Sequence, residues 1–142
     1  MIEVRLHERL SEFDPIAMAS VNASSRRASL FASPAWLRLF IEHDGDLHER
    51  GATPCFLAAW EGGVLKGYLP LKSTNDPGGR GLSSLITMEV ERPEVVAAPE
   101  DEVRVTQAFF RNLLHRADEW DLLELVREIP AKELPLPIRN KR

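Results

Sequence analysis

The first part of the chain alternates apolar and polar residues and then carries two helix starts. Ile2, Val4 and Leu6 are each followed by a polar residue, and this period of two predicts a strand with one buried face. Asp14-Pro15 and Ser33-Pro34 each place a side-chain acceptor before a proline, which is a typical helix N-terminus. We therefore predict one strand followed by two helices.

A glycine-containing turn separates two apolar runs in the middle of the chain. The runs Phe56–Trp60 and Val64–Leu71 are joined by Glu61-Gly62-Gly63, and glycine permits the positive φ angles of tight hairpin turns. We predict an antiparallel hairpin whose second strand ends, or reaches a sheet edge, near Pro70, because proline has no amide donor. The turn-forming residues Asn75–Gly79 are predicted to form a loop.

Three further elements are predicted in the last part of the chain. Leu82–Val90 has the composition of a strand, and Pro99–Ala117 that of a helix with an acidic first turn and apolar residues spaced by four. Asp121–Val126 is apolar almost without interruption, which predicts a strand inside the sheet and covered on both faces. The residues expected in the core are Trp36, Phe40, Leu82, Leu85 or Ile86, Met88, Val105, Phe109, Leu113 and Ala117.

The predicted order is strand, helix, helix, hairpin, strand, helix, strand, which indicates a mixed α/β (α+β) domain over residues 1–130. Residues 131–142 have no apolar period, so we interpret them as a linker or a truncated connection. The 142 residues suit one hydrophobic core. An apolar fraction of 44% and a charged fraction of 28% are ordinary for a globular domain.

Charge and hydropathy argue against several classes of partner. The formal net charge of −4 gives no basic face for nucleic acid, and no apolar run approaches the ~20 residues that span a bilayer. The single cysteine, Cys55, cannot form an internal disulfide, which favours a reducing compartment. We expect a cytoplasmic protein that binds neither nucleic acid nor membrane.

Histidine spacing does not indicate a metal site. The four histidines are His7, His43, His48 and His115. No pair of them has the short spacing of a zinc motif. His43 and His48 flank a loop with Asp44 and Asp46, which a surface metal site would explain, but a solvated helix end explains the same residues. We predict no metal ligand.

Cys55 and the pair Ser83-Ser84 are the candidate nucleophiles. Cys55 lies at the start of the hairpin among apolar neighbours, where a cysteine is usually an unreactive core residue, and catalysis would require His43 or His48 beside it. Ser83 and Ser84 lack the Gly-x-Ser-x-Gly elbow that exposes a hydrolase serine. We predict no catalytic residue, and an enzyme that uses Cys55 stays as an alternative.

We assign no binding role to the large aromatic residues or to the short basic clusters. Most of the large aromatic residues fall on apolar stripes, so we favour core packing over a stacking surface for bases or sugars. They are Trp36, Phe40, Trp60, Phe109, Phe110 and Trp120. Arg26-Arg27 and Arg139-Asn140-Lys141-Arg142 are short basic clusters on an acidic domain, which we interpret as solvated surface.

Three short segments of the sequence, taken in order, resemble segments of one protein family. They are Phe31-Ala32-Ser33-Pro34-Ala35-Trp36-Leu37, Gly63-Val64-Leu65-Lys66-Gly67-Tyr68-Leu69-Pro70-Leu71 and Trp120-Asp121-Leu122-Leu123-Glu124-Leu125, closed by Ile129-Pro130. With the order of elements, they resemble the N-terminal half of the CelD-like branch of GNAT acyltransferases, named from cellulose-biosynthesis acetyltransferases. The resemblance implies a GNAT-like mixed sheet, and a longer protein with two GNAT-like halves whose acyl-CoA site belongs to the C-terminal half.

The resemblance also implies where a cofactor would bind. An active GNAT domain holds the CoA pyrophosphate on backbone amides at the turn from its fourth strand into the next helix, in a Gln/Arg-x-x-Gly-x-Gly/Ala segment. The corresponding stretch, Glu91–Glu102, has no glycine and five acidic residues, and its prolines Pro93 and Pro99 donate no amide. We expect no cofactor site in this chain, and acetyl-CoA or acyl-CoA only if a C-terminal half is present.

Two hypotheses of function follow from this departure. The first is the non-catalytic N-terminal half of a GNAT-family acyl-CoA N-acyltransferase, which forms part of a substrate cleft with a C-terminal GNAT domain. The alternative is a free-standing binding or dimerisation module with a GNAT-like fold, no enzymatic activity and a second copy of itself as partner. Whether the chain is an acyltransferase in its own right stays open at this point.

Overall fold

The structure is a computed structural model that describes residues 1–26, 30–44, 47–48, 51–76, 79–85, 95–116 and 122–124. Six strands and three helices are named here in chain order. They are β1 (Glu3–His7), α1 (Pro15–Ser24), α2 (Pro34–His43), β2 (Thr53–Glu61), β3 (Val64–Asp76), β4 (Gly79–Ser84), β5 (Val96–Ala97), α3 (Glu102–His115) and β6 (Leu122–Glu124). Short 3-10 turns at Leu10–Glu12 and Leu30–Ala32 precede α1 and α2.

The two predicted helix starts are confirmed. The Asp14 carboxylate accepts a hydrogen bond from the amide of Ile16 at 3.0 Å, and the Ser33 hydroxyl accepts one from the amide of Trp36 at 3.5 Å. Each cap satisfies a backbone donor that has no partner inside its helix. The prolines that follow the caps are the first residues of α1 and α2.

One sheet joins all six strands. Its order is β1-β2-β3-β4-β6, and β5 also pairs with β3. The pairs β1–β2, β2–β3, β3–β4 and β3–β5 are antiparallel, whereas β4–β6 is parallel. The predicted hairpin between β2 and β3 is confirmed, and Gly62 and Gly63 in its turn have φ angles of 59° and 79°, which favour glycine.

Strand β3 is longer than predicted and runs through Pro70 to Asp76. The predicted end near Pro70 is wrong, as is the predicted loop over Asn75–Gly79, because Asp76 and Gly79 pair as β-sheet partners. The carbonyl of Pro70 accepts from the amide of Leu85 at 3.2 Å. A strand residue directs its N–H and C=O to the same side. The amide that Pro70 lacks would therefore point toward the end of β4 and not toward β2, so pairing with β2 is undisturbed.

The positions of the last two predicted strands need correction. The strand predicted over Leu82–Val90 is observed as β4, three residues earlier, and residues 86–94 lie outside the described residues. Within the described part of the chain β6 ends the sheet, with β4 as its partner, so the prediction that it lies inside the sheet is wrong there. An apolar run indicates that both faces of a strand are covered. It does not indicate whether the strand has one neighbour or two, because neighbouring strands hydrogen-bond in the plane of the sheet and not across its faces.

Apolar side chains pack on both faces of the sheet. On the α3 face, Val105, Phe109 and Leu113 are 0%, 1% and 2% exposed, as predicted. On the other face lies a cluster with Met18, Leu37, Phe56, Tyr68 and Leu85. Leu82 and Leu85 are buried as expected, whereas Ile86, Met88 and Ala117 lie outside the described residues.

Helix α2 corrects in part the prediction that Trp36 and Phe40 are core residues, because Phe40 packs against the core cluster without being fully buried and Trp36 is not part of that cluster. Both are half-buried, with ring centroids 6.3 Å apart, and Leu37 between them is fully buried. A helix packed on a sheet buries the centre of its apolar stripe most completely, and Leu37 occupies that centre. No helix in the described ranges is long and apolar enough to cross a bilayer.

Candidate functional site

The described turn from β5 into α3 lies where the resemblance implies an anion site. The amide of Asp101 donates to the carbonyl of Ala98 at 2.9 Å, and the amide of Glu102 donates to the carbonyl of Pro99 at 3.4 Å. Pro99 itself supplies no amide. A pyrophosphate is held by amides that point away from their own turn, and this turn directs two of its amides back onto its own carbonyls.

Acidic side chains surround the same N-terminus of α3 and are paired with arginines. Arg104 donates to Asp101 Oδ1 at 2.7 Å and to Glu61 Oε2 at 3.0 Å, while Arg26 Nε donates to Glu102 Oε2 at 3.2 Å. The hydrogen bond from Arg104 lowers the pKa of Glu61, and the same bond raises the pKa of Arg104. A helix N-terminus favours anions, and here the chain places its own carboxylates beside it.

Two different strands pair with β3 in the part of the sheet that precedes this turn. Strands β4 and β5 pair with the same side of β3, β4 with Leu71–Asp76 and β5 with Gly67 and Tyr68. Among the described residues, β4 and β5 thus pair with two successive parts of β3 before α3 begins. Gly67 lies under α3, since a Cβ built on it would be 2.7 Å from Val105 Cγ1 and 2.8 Å from the carbonyl oxygen of Val96.

A solved structure has a similar overall fold. A ribosomal-protein-alanine N-acetyltransferase from Brucella melitensis biovar Abortus 2308 superposes with a TM-score of 0.52 over 93% of this chain and 84% of that protein, at 18% identity. This chain has a GNAT-like fold. A putative acetyltransferase of the GNAT family from Desulfovibrio desulfuricans gives a TM-score of 0.47 at 13% identity, over 84% of this chain and 67% of that one. No family model and no curated protein matches the sequence.

His43 and His48, the histidines considered as metal ligands, make separate contacts in the structure. The ring of His48 hydrogen-bonds the carbonyl of Ile41 at 3.0 Å, and His43 is exposed beside Glu42. Among the described residues, no three His, Cys, Asp or Glu side chains lie close enough together to hold a metal ion. Asp46 and its neighbour Gly45 lie outside those residues.

The candidate nucleophiles differ in exposure. Cys55 is buried in β2 at 6% exposure, Ser83 is half-buried in β4, and Ser84 is described for its backbone alone. Burial in apolar surroundings disfavours a thiolate. Arg26, interpreted from the sequence as solvated surface, is 69% exposed and also pairs with Glu102 of α3. Arg27 and Trp120 lie outside the described residues.

Asp44 belongs to a buried ion pair that sequence reasoning missed. Lys72 Nζ in β3 donates to Asp44 Oδ1 at 3.1 Å and Oδ2 at 3.2 Å, and the two side chains are 5% and 10% exposed. Asp44 also accepts from the amide of Leu47 at 3.2 Å. The pair links the end of α2 to the sheet. A lysine amid the apolar residues of β3 was the one local signal, because buried lysines need a partner.

His7 and Trp60 form a second cluster that the sequence did not reveal. His7 Nδ1 forms a hydrogen bond with the Glu12 carboxylate at 2.7 Å. Neither His7 Nε2 nor Trp60 Nε1 has a hydrogen-bond partner among the described residues. Phe13 packs edge-on against His7 and stacks on Trp60.

Two cavities open on opposite faces of the sheet. One of about 620 Å³ lies beside Phe13 and Met18, near the starts of α1 and α2. The other, of about 210 Å³, lies beside Cys55 and Leu113, under the end of α3. Glu8, which follows β1, contributes to both cavities.

Proposed function

We propose that this chain is the non-catalytic, N-terminal GNAT-like half of an acyl-CoA N-acyltransferase, and that it forms one wall of a substrate cleft with a C-terminal GNAT domain. The observation that carries the proposal is the turn from β5 into α3. Two of its amides bond within the turn, Pro99 has none, and Asp101 and Glu102 surround the helix N-terminus with carboxylates. The chain's own carboxylates and carbonyls thus take up the amides, the helix N-terminus and the arginines that would attract a pyrophosphate.

Calorimetry with acetyl-CoA tests the non-catalytic part of the proposal. A ligand without its phosphate contacts keeps only pantetheine and adenine contacts, which have to offset the cost of ordering a long flexible molecule. We expect no saturable heat at micromolar protein and ligand, and no acetyl transfer to amines. Saturable binding at micromolar concentration would contradict the proposal and favour a complete acyltransferase with a different phosphate site.

The coding sequence that follows Arg142 tests the other part of the proposal. We expect it to encode a second GNAT-like unit that carries the Gln/Arg-x-x-Gly-x-Gly/Ala segment missing from this chain. A stop codon directly after Arg142 would contradict the half-protein role and leave the second candidate.

The second candidate is a self-associating module, and β1 is the observation that favours it. β1 ends the described sheet opposite β6, so its outer backbone groups face away from β2. Glu3 and Arg5 lie on this strand and are 63% and 54% exposed. Antiparallel pairing of two copies centred on Val4 would place Glu3 of one copy opposite Arg5 of the other. Sedimentation should then show a dimer that an Arg5→Glu substitution dissociates. A monomer at high concentration would contradict this candidate.

A further inference from the structure

The larger cavity is a groove along one face of α2, and we call it the α2 groove. Its volume is about 620 Å³, and the residues that α2 contributes are Pro34, Arg38, Ile41 and Glu42. Because a helix rises about 1.5 Å per residue, the step from Pro34 to Glu42 gives the groove a length of about 12 Å. Phe13 and Met18, at 4% and 0% exposure, line it from the other side. The groove is therefore long enough for roughly three or four extended residues over an apolar floor.

The volume of the α2 groove sets the size of its occupant. An engineered apolar cavity of about 150 Å³ accommodates benzene. In proportion, about 620 Å³ accommodates roughly 25 heavy atoms, which is close to the size of a tripeptide such as Leu-Pro-Leu. The groove thus suits a short apolar stretch of polypeptide in both its length and its volume.

The chain has an apolar run of matching size beyond β6. This run, Leu134-Pro135-Leu136-Pro137-Ile138, carries no charge and lies outside the described residues. Pro135 and Pro137 have no amide donor, so the run is unsuited to an inner strand of the sheet. Apolar runs that contain prolines are instead typical ligands of grooves with apolar walls. Glu133 and Arg139 flank the run, and such charged residues favour a solvated position at both of its ends.

The register of the sheet shows that the run can reach the α2 groove. Glu124 of β6 pairs with Ser83 of β4, and Ser83 pairs with Lys72 of β3. Lys72 in turn pairs with Pro54 of β2, which lines the groove. Three strand spacings of about 4.8 Å therefore separate Glu124 from Pro54 by about 14 Å. Residues 125–133 can span up to about 30 Å, so the connection is long enough even when it turns back toward the helices.

We propose that the run Leu134–Ile138 docks in the α2 groove of its own chain. Its leucine side chains would contact the floor at Phe13 and Met18, and its charged flanks would remain in solvent. Because the run and the groove belong to one chain, docking is intramolecular, and contacts too weak to join separate molecules can suffice. The residues interpreted from the sequence as a linker would then follow a fixed path across the domain. The proposal concerns this chain alone and does not depend on the proposed function.

A nitroxide spin label at position 140 tests the proposal on the full chain. The labelled variant is Asn140→Cys with Cys55→Ala, so that one thiol is available, and thermal denaturation verifies that it folds. We expect the label to broaden the ¹⁵N amide signals of Leu10–Phe13 and Arg38–Glu42, which border the groove. The signals of Trp60–Leu65 should be broadened much less, because they lie at the other end of β2, about 20 Å away. Groove signals that are broadened no more than those of Trp60–Leu65 would overturn the proposal.

A matched pair of substitutions identifies the docked residues. Leu136→Asp in the spin-labelled chain should remove the broadening of the groove signals, because a carboxylate is unfavourable on an apolar floor. Ala131→Asp introduces the same charge before the run and should leave the broadening unchanged. Broadening that persists in Leu136→Asp, or that Ala131→Asp removes equally, would overturn the proposal.

A mixing experiment separates docking within one chain from docking between two copies. The ¹⁵N-labelled chain without a spin label is mixed with an equal amount of spin-labelled chain that carries no ¹⁵N. We expect no broadening of the groove signals in this mixture. Broadening equal to that of the singly labelled sample would show that the run occupies the groove of a second copy, and would overturn docking within one chain.

Discussion

Replacement of Asp44 by asparagine should destabilise the protein more than any other single charge removal in the described residues. The substitution keeps the size of the side chain and an oxygen that can accept from the Leu47 amide, but it removes the negative charge that Lys72 contacts at 3.1 and 3.2 Å. Lys72 is 5% exposed, so water cannot replace the lost charge. Breaking a buried pair from one side costs about 3 to 5 kcal/mol.

Urea denaturation measures this loss, and a double-mutant cycle separates the ion pair from general damage. Lys72→Met alone leaves a carboxylate that is 10% exposed, whereas Lys72→Met with Asp44→Asn removes both charges of the pair and should cost less than the two single losses added together. Glu42→Gln is the control, because Glu42 is exposed two residues earlier, and it should change stability by less than about 0.5 kcal/mol. A loss below about 1 kcal/mol for Asp44→Asn would refute the burial of the pair.

Two packing substitutions on the α3 face follow from the core. Phe109→Ala should cost about 3 to 5 kcal/mol because the ring is 1% exposed, while Val103→Ala on the exposed side of α3 should cost little, and equal losses in urea denaturation would contradict this packing. Gly67→Ala should cost about 1 to 3 kcal/mol, because its Cβ would lie 2.8 Å from the carbonyl oxygen of Val96. A thermal midpoint equal to that of the unsubstituted protein would show that Val96 of β5 does not lie so close to Gly67.

Local features of the sequence predicted the elements best. A capping side chain before a proline defines a helix start through contacts within three residues, and both starts were correct at Asp14 and Ser33. The two glycines of the β2–β3 turn also act locally. The length of β3 depends instead on which strand lies beside each residue. Whether Pro70 ends the strand could therefore be decided only from the structure, which places the amide of Leu85 opposite the carbonyl of Pro70.

The site features depended on residues far apart in the chain. Arg104 pairs with Asp101 three residues away, but also with Glu61, 43 residues earlier. Lys72 and Asp44 are separated by 28 residues. The absence of glycine between Ala98 and Glu102 was visible in the sequence, whereas the amides that turn back onto their own carbonyls required backbone coordinates.

A titration of ¹⁵N-labelled protein with acetyl-CoA, followed at the amides of residues 98–105, tests the central claim most directly. These amides form the turn and the first residues of α3, where a GNAT pyrophosphate would bind, and amide shifts report contact residue by residue. We predict no saturable shift of these signals up to about 1 mM acetyl-CoA, because the carboxylates of Asp101 and Glu102 and the internal bonds of the turn disfavour the anion. Saturable shifts centred on Asp101 to Arg104 would contradict the account and show that the turn still binds phosphate.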